Sequence, residues 1–247
     1  MKNIMKVKDV SKKIKRRTII DNMSFEINEG QICGFIGPNG AGKTTMIRLL
    51  TGLIKPNEGE ILINGIDVTK NRKEALMNIG AIVEAPIFFN YMTGKEILNN
   101  LVRLHPNIPK KERESRVEEV LKIVDLDKRC QDKVSTYSLG MKQRLGIAQA
   151  LLGNPEIIIL DEPANGLDPI GMKDLREIIL KLNREYNITF LVSSHLLDEL
   201  QKICTSFVII NEGVLKFKGT SEELLSIDKG NIEDIFIKIL KGQEASA

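Results

Sequence analysis

Nine consecutive residues, GPNGAGKTT from Gly37 to Thr45, have the composition of a phosphate cradle. Gly37, Pro38, Asn39, Gly40, Ala41, Gly42, Lys43 and Thr44 fit the pattern GxxxxGK followed by Ser or Thr, with Thr45 next in line. They lie between a strand-like apolar run and a helix-like one, the context that marks a P-loop. Glycines let successive backbone N–H groups wrap an anion, and the start of a helix adds positive potential there. Lys43 is placed to reach β- and γ-phosphates, and the Thr44 hydroxyl to ligate Mg²⁺.

A second group of chemical residues follows four aliphatics in IIILDEP (157–163). Asp161 at the end of such a buried strand can hold the Mg²⁺ coordination shell. Glu162, next in line, is suited to polarise a water against a γ-phosphate as general base. His195 follows FLVSS at another strand end, where it can touch the γ-phosphate; a structural histidine is the other reading. Ser138 and Gly140, in YSLGMKQR, stand just ahead of a helical apolar run. They form either an ordinary helix cap or an anion site at a helix N-terminus.

The elements that must position these residues are legible as periodicity. VKDV, TII, MSFEI and QICGFIG read as strands, the last running into the glycine loop, and a helix follows from Lys43 to about Thr51. ILING and IGAIVE read as further strands, the second ending at Glu84. Between residues 86 and 152 the period changes: Val117, Val120, Leu121 and Val124 line one helix face. This stretch predicts a helical subdomain inserted in an α/β core. Strand character returns at 156–160, a helix follows Pro169, then the strand ITFLVSS and a helix from His195. SFVII and GVLKF read as closing strands, and Ile232, Ile235, Phe236, Ile239 and Leu240 stripe a last helix.

Composition sets the outer limits. The chain of 247 residues, 42% hydrophobic and 28% charged, is an ordinary globular composition read as one domain over 1–247. A net charge of +3 is too small to argue for nucleic acid, and the basic run Lys12, Lys13, Lys15, Arg16 and Arg17 reads as a solvated loop or edge. No apolar run approaches the ~20 residues that cross a bilayer, and the first ten residues lack a signal-peptide core. Cys33, Cys130 and Cys204 share no metal-ligand spacing and read as reduced thiols of a cytoplasmic protein.

Taken together, the P-loop, YSLGMKQR, ILDEPANGLDP and SSHLLDE resemble, in order and spacing, the motifs of ATP-binding-cassette ATPases. The resemblance covers nearly the whole chain. It implies a P-loop NTPase core, a mostly parallel sheet flanked by helices, with an N-terminal antiparallel β subdomain and an inserted helical subdomain. It also implies ATP and Mg²⁺ as cofactors. In that family two cassettes pair head to tail, so Ser138 and Gly140 would serve the ATP on the partner's P-loop, and Asp168 would shape the loop across the interface.

Two positions depart from the family's usual pattern. Ile14 stands where an aromatic commonly stacks on adenine, which implies loose base selectivity. Glu84 stands where the glutamine of the Q-loop is usual, as a catalytic and metal-facing oxygen or as a solvated carboxylate. A glutamate there resembles lantibiotic-immunity and bacitracin-resistance exporters. The resemblance thus implies the ATPase subunit of a transporter, peripheral at the cytoplasmic face of the membrane through separately encoded permease subunits, with no nucleic acid bound. A soluble ATPase of the same class acting on nucleic acid or ribosomes is the alternative; it usually carries coiled-coil insertions or tandem cassettes, which this chain lacks. A P-loop GTPase would need an NKxD-type motif and would leave YSLGMKQR and SSHLLDE unexplained.

Overall fold

Alternating apolar and polar residues dominate the first 28 positions, and in the computed structural model they form one long hairpin. The structure describes residues 2–228 and 231–241. Its first elements are β1 (Asn3–Ile14), β2 (Arg17–Asn28), β3 (Ile32–Ile36), α1 (Lys43–Leu50), β4 (Glu58–Ile63), β5 (Ile66–Asp67) and α2 (Arg72–Ala75). The middle carries β6 (Ile79–Ile82), α3 (Gly94–Leu101), α4 (Arg113–Ile123), α5 (Leu139–Leu151), β7 (Ile157–Asp161) and α6 (Pro169–Tyr186). The chain closes with β8 (Thr189–Ser194), α7 (Leu197–Gln201), β9 (Ser206–Asn211), β10 (Val214–Thr220), α8 (Ser221–Ser226) and α9 (Ile232–Lys241). These elements cluster into two compact units, Met1–Leu76 with Thr189–Ala247, and Met77–Ile188.

The first unit contains an antiparallel sheet in the order β2-β1-β4-β5 and a run of strands in the order β10-β9-β3-β8. Here β3 pairs in parallel with β8 and with β9, while β10 returns antiparallel to β9. All residues of β3 and β8 are buried, as parallel strands covered on both faces require. Phe25 of β2 and Phe35 of β3 pack with ring centroids 5.8 Å apart in the core. Burying one such side chain contributes about 2–3 kcal/mol.

The second unit pairs β6 with β7 in parallel, Ile79 opposite Ile157 and Ile82 opposite Leu160. Helices α3, α4 and α5 lie between these strands in sequence, and α6 follows β7. Helix α5 rests on β6 at Gly80, where an added Cβ would stand 2.3 Å from the Ala150 carbonyl; only glycine permits that approach. Helix α3 opens with a reciprocal capping box between Thr93 and Glu96.

Several boundaries differ from the sequence expectation. VKDV, TII and MSFEI are parts of two 12-residue strands, because antiparallel pairing from Asn3 opposite Asn28 to Ile14 opposite Arg17 carries both strands past their apolar runs. Strand β6 ends at Ile82 rather than Glu84, whose φ of +66° cannot continue a pleat. The helix expected from His195 starts at Leu197, after a turn in which the Leu196 N–H donates to Ser194 Oγ at 2.9 Å.

Candidate functional site

In the first unit the glycine loop joins β3 to α1. It is held from beneath: the Gly213 N–H donates to the Ala41 carbonyl at 3.0 Å, and the Asp21 N–H donates to the Gly213 carbonyl at 2.9 Å. An Ala41 N–H to Pro38 carbonyl bond of 3.1 Å closes the turn, leaving Asn39 and Gly40 exposed at its tip. Gly42 has φ +106°, and an added Cβ would meet Ile20 Cδ1 at 2.8 Å, so the last turn before α1 admits only glycine. Helix α1 begins at Lys43 behind Gly42, which has no side chain to cap it, so the first N–H groups of the helix follow directly on the glycine loop. Lys43 is buried, and its Nζ donates to the Gly37 carbonyl at 2.7 Å and the Pro38 carbonyl at 3.4 Å. Thr44 and Thr45 are half-buried in the first turn.

Two further residues of this unit belong to the same neighbourhood. Ile36 stands opposite Ser194 on parallel strands, so Gly37 and His195 leave β3 and β8 at the same level. His195 is exposed there. Ile20, which Gly42 would touch, pairs with Lys12, and Ile14 pairs with Arg17 at the hairpin end. Three residues of strand, roughly 10 Å, thus separate the glycine loop from the hairpin tip. Ile14 is 44% exposed at that tip.

The second unit carries the acids. Asp161 is buried as the last residue of β7, and Glu162 follows, half-buried, with φ +49°. Glu84 lies two residues past the end of β6, exposed, also in the left-handed region. All three therefore leave the C-terminal ends of adjacent parallel strands, where open α/β sheets collect ligands. Left-handed backbone at two non-glycine acids costs about 1–2 kcal/mol each, and such strain concentrates at functional positions.

The helix starts of this unit form a second surface. Ser138 caps α5, its Oγ accepting the Met141 N–H at 3.2 Å, so the helix-cap reading holds. A hydroxyl that accepts still carries a proton to donate, and an anion at this N-terminus could take it. Asp168 caps α6 through the Gly171 N–H at 2.7 Å, with Pro169 in the first turn. A groove of about 300 Å³ runs between the two caps, lined among others by Ser138, Gly140, Gly166 and Asp168.

Thr44 in the first unit offers a hydroxyl and Asp161 in the second a carboxylate, each a hard oxygen donor of the kind Mg²⁺ prefers. Among the described residues no group of three His, Cys, Asp or Glu forms an all-protein metal cage. Burial pushes the Cys33 thiol up to about 12 and raises that of Cys204, so neither offers a thiolate at neutral pH. Sequence reasoning missed Gln143, which is buried on α5, and the Ser194 hydroxyl that shapes the His195 turn. Gln143 precedes Gly146, Ile147 and Ala150 by three, four and seven residues on the buried face, so its polar side chain at apolar spacing was a readable signal.

Comparison with known proteins agrees with this geometry. The sequence profile of a family described as ABC transporter matches residues 20–165. The ABC transporter ATP-binding protein YhcH of Bacillus subtilis (strain 168) is 46% identical over 215 residues, 87% of this chain and 69% of that protein. The bacitracin transport ATP-binding protein BcrA of Bacillus licheniformis is 46% identical over 218 residues, 87% of this chain and 69% of that protein. Among solved structures, an ATP-binding subunit of an ABC transporter superposes with TM-score 0.84 at 28% identity, covering 96% of this chain and 99% of that one. A dimeric ATP-binding cassette in a post-hydrolysis state, bound to ADP and Pi, superposes with TM-score 0.78 at 26% identity, covering 88% of this chain and 99% of that one.

Proposed function

Given that this chain belongs to the ABC transporter family, as an ATP-binding and ATP-hydrolysing subunit, we propose that it powers the export of a peptide antibiotic. Supporting the ATPase half is the glycine loop running into the α1 start at Lys43 in the first unit; in the second, Asp161 and Glu162 at the end of β7 supply the carboxylates. The substrate class rests on the likeness to bacitracin transport proteins, together with Glu84. The nucleic-acid alternative is set aside, because the relatives are transporter subunits.

In this reading the loop N–H groups, Lys43 and the α1 terminus bind the triphosphate and neutralise its charge. Thr44 and Asp161 would hold Mg²⁺, with Glu84 as a further oxygen donor, and the ion when bound would supply charge neutralisation to the triphosphate. Glu162 takes a proton from a water whose oxygen attacks the γ-phosphorus as the bond to the β–γ bridging oxygen breaks. His195 donates to a γ-phosphate oxygen. Ser138, Gly140 and the α5 terminus close over the triphosphate of a second cassette, head to tail, with Asp168 fixing the loop between.

The helical stretch over 86–152 then passes closure to permease subunits. Ile87, Phe89 and Tyr91, directly after Glu84, support that contact: they are 93%, 64% and 70% exposed, and the two rings lie 5.6 Å apart. An apolar cluster so exposed suits a partner surface. Among the described residues no helix is long and apolar enough to cross a membrane, consistent with peripheral attachment through the permease. The test is bacitracin susceptibility of the source strain with Glu162→Gln in its own copy of the gene. Greater susceptibility than the parent is expected; equal susceptibility contradicts the substrate class.

A further inference from the structure

Glu162 is followed by Pro163, and the Pro163 carbonyl accepts a hydrogen bond from the Gln143 side-chain amide at 2.7 Å. Gln143 is only 7% exposed, on the buried face of α5, five residues from Ser138. A glutamine in such surroundings is costly unless bonded, and this bond offsets that cost.

The turn it holds needs holding. Glu162 has φ +49°, a backbone region unfavourable for a residue with a Cβ and doubly so before proline. The carbonyls on both sides of the Pro163 ring are tied: that of Glu162 accepts the Asn165 N–H at 3.1 Å, and that of Pro163 accepts Gln143. Proline fixes its own φ, so the two bonds together orient the turn from which the Glu162 side chain projects.

We propose that Gln143 is a positioning residue for Glu162, setting the turn from which the carboxylate reaches the attacking water. This rests on the reading of Glu162 as general base. Because Ser138 and Gln143 ride on one helix, an anion gripped at the α5 N-terminus pulls on the same turn. A chain whose α5 terminus has engaged a partner's nucleotide thereby holds its own Glu162 in place.

The experiment compares ATP turnover and nucleotide affinity in Q143A, Q143E, E162Q and the Q143A/E162Q double variant. Q143A should keep nucleotide affinity and lower kcat by ~10- to 100-fold, the cost of misplacing a catalytic group by about 1 Å. In the double variant kcat should fall no further than in E162Q, since the two residues act as a unit. Q143E provides the signature a merely structural role would not produce. Its ionised carboxylate has no proton to donate to the Pro163 carbonyl, whereas the protonated acid does. Burial raises the pKa of such an acid, so kcat of Q143E relative to wild type should climb as pH falls from about 8 to about 6. The ratio for Q143A should stay flat.

Wild-type kcat in Q143A, multiplied losses in the double variant, or a flat Q143E ratio would each overturn the assignment of Gln143. Wild-type turnover in E162Q would instead overturn the base reading, and the positioning role with it. Should Q143A fail to fold, the pH response of Q143E decides.

Discussion

Ile36 and Ser194 face each other across adjacent parallel strands, so the residues that follow them, Gly37 and His195, leave the sheet at one level. The phosphate loop and an exposed imidazole thus share an edge although more than 150 residues separate them in sequence. Parallel pairing achieves this because both strands end on the same side, and the turn behind Ser194 Oγ keeps His195 out of the helix that follows.

His195→Ala should therefore leave the fold intact and slow the chemistry. An exposed residue contributes within about 0.5 kcal/mol to stability. A hydrogen bond to a charged phosphate is worth about 1.5–3 kcal/mol, so kcat should fall ~10- to 150-fold while nucleotide affinity changes less. Steady-state ATPase kinetics beside a thermal melt check this. A matched loss of stability would assign His195 a structural role.

Glu162→Gln removes the proton acceptor while keeping the shape of the side chain. Turnover should drop by ~10²–10⁴-fold, the usual contribution of a general base, with ATP affinity retained. With Mg²⁺ and ATP the variant should accumulate as a dimer on size-exclusion chromatography. Near-normal hydrolysis would remove Glu162 from the mechanism.

Much of this site could be read from residue order alone. Continuous aliphatic runs announced β3, β7 and β8, since only strands buried on both faces tolerate them, and Gly37, Asp161 and His195 do stand at or just past the ends of those strands. The left-handed backbone at Glu84 and Glu162 was not legible, because surrounding structure rather than local propensity imposes it. Nor was the bond from Gln143 to Pro163, which joins residues 20 positions apart. The hairpin was read as short pieces because bulges interrupt its pairing register and its exposed face is densely charged.

Glu84 tests the coupling to transport. Its exposed carboxylate keeps the length and oxygen of a glutamine but adds a charge that favours Mg²⁺ and opposes phosphates, effects of opposite sign. Glu84→Gln should change activity modestly, whereas Glu84→Ala should uncouple hydrolysis from substrate movement in membranes containing the permease. If Glu84→Ala matches wild type in both rates and their ratio, Glu84 is a solvated loop residue.

Base selectivity should be loose. Ile14, half-exposed at the hairpin tip, offers dispersion contact to any purine and no hydrogen bond that tells adenine from guanine. GTP should displace a fluorescent ATP analogue with an affinity within about tenfold of ATP itself, since each unmatched polar contact would be worth ~1.4 kcal/mol or more. Ile14→Tyr should tighten both nucleotides by about 0.5–1.5 kcal/mol through stacking. A preference for ATP beyond a hundredfold would show that other residues read the base.

The proposed head-to-tail site is open to one direct measurement, complementation between two defective chains. An added Cβ at Gly140 meets nothing closer than 4.0 Å, so Gly140→Asp places a carboxylate at the α5 terminus without disturbing packing. That charge would repel a triphosphate approaching from a partner while leaving nucleotide binding at Lys43 and Thr44 untouched. Lys43→Ala has the converse defect. Each variant alone should fail to form the ATP-dependent dimer that wild type forms, and an equimolar mixture should form it, because the heterodimer keeps one intact composite site. Recovery of the dimer in the mixture is the result predicted here; a mixture as monomeric as its two components, beside a wild type that dimerises, would contradict the composite site.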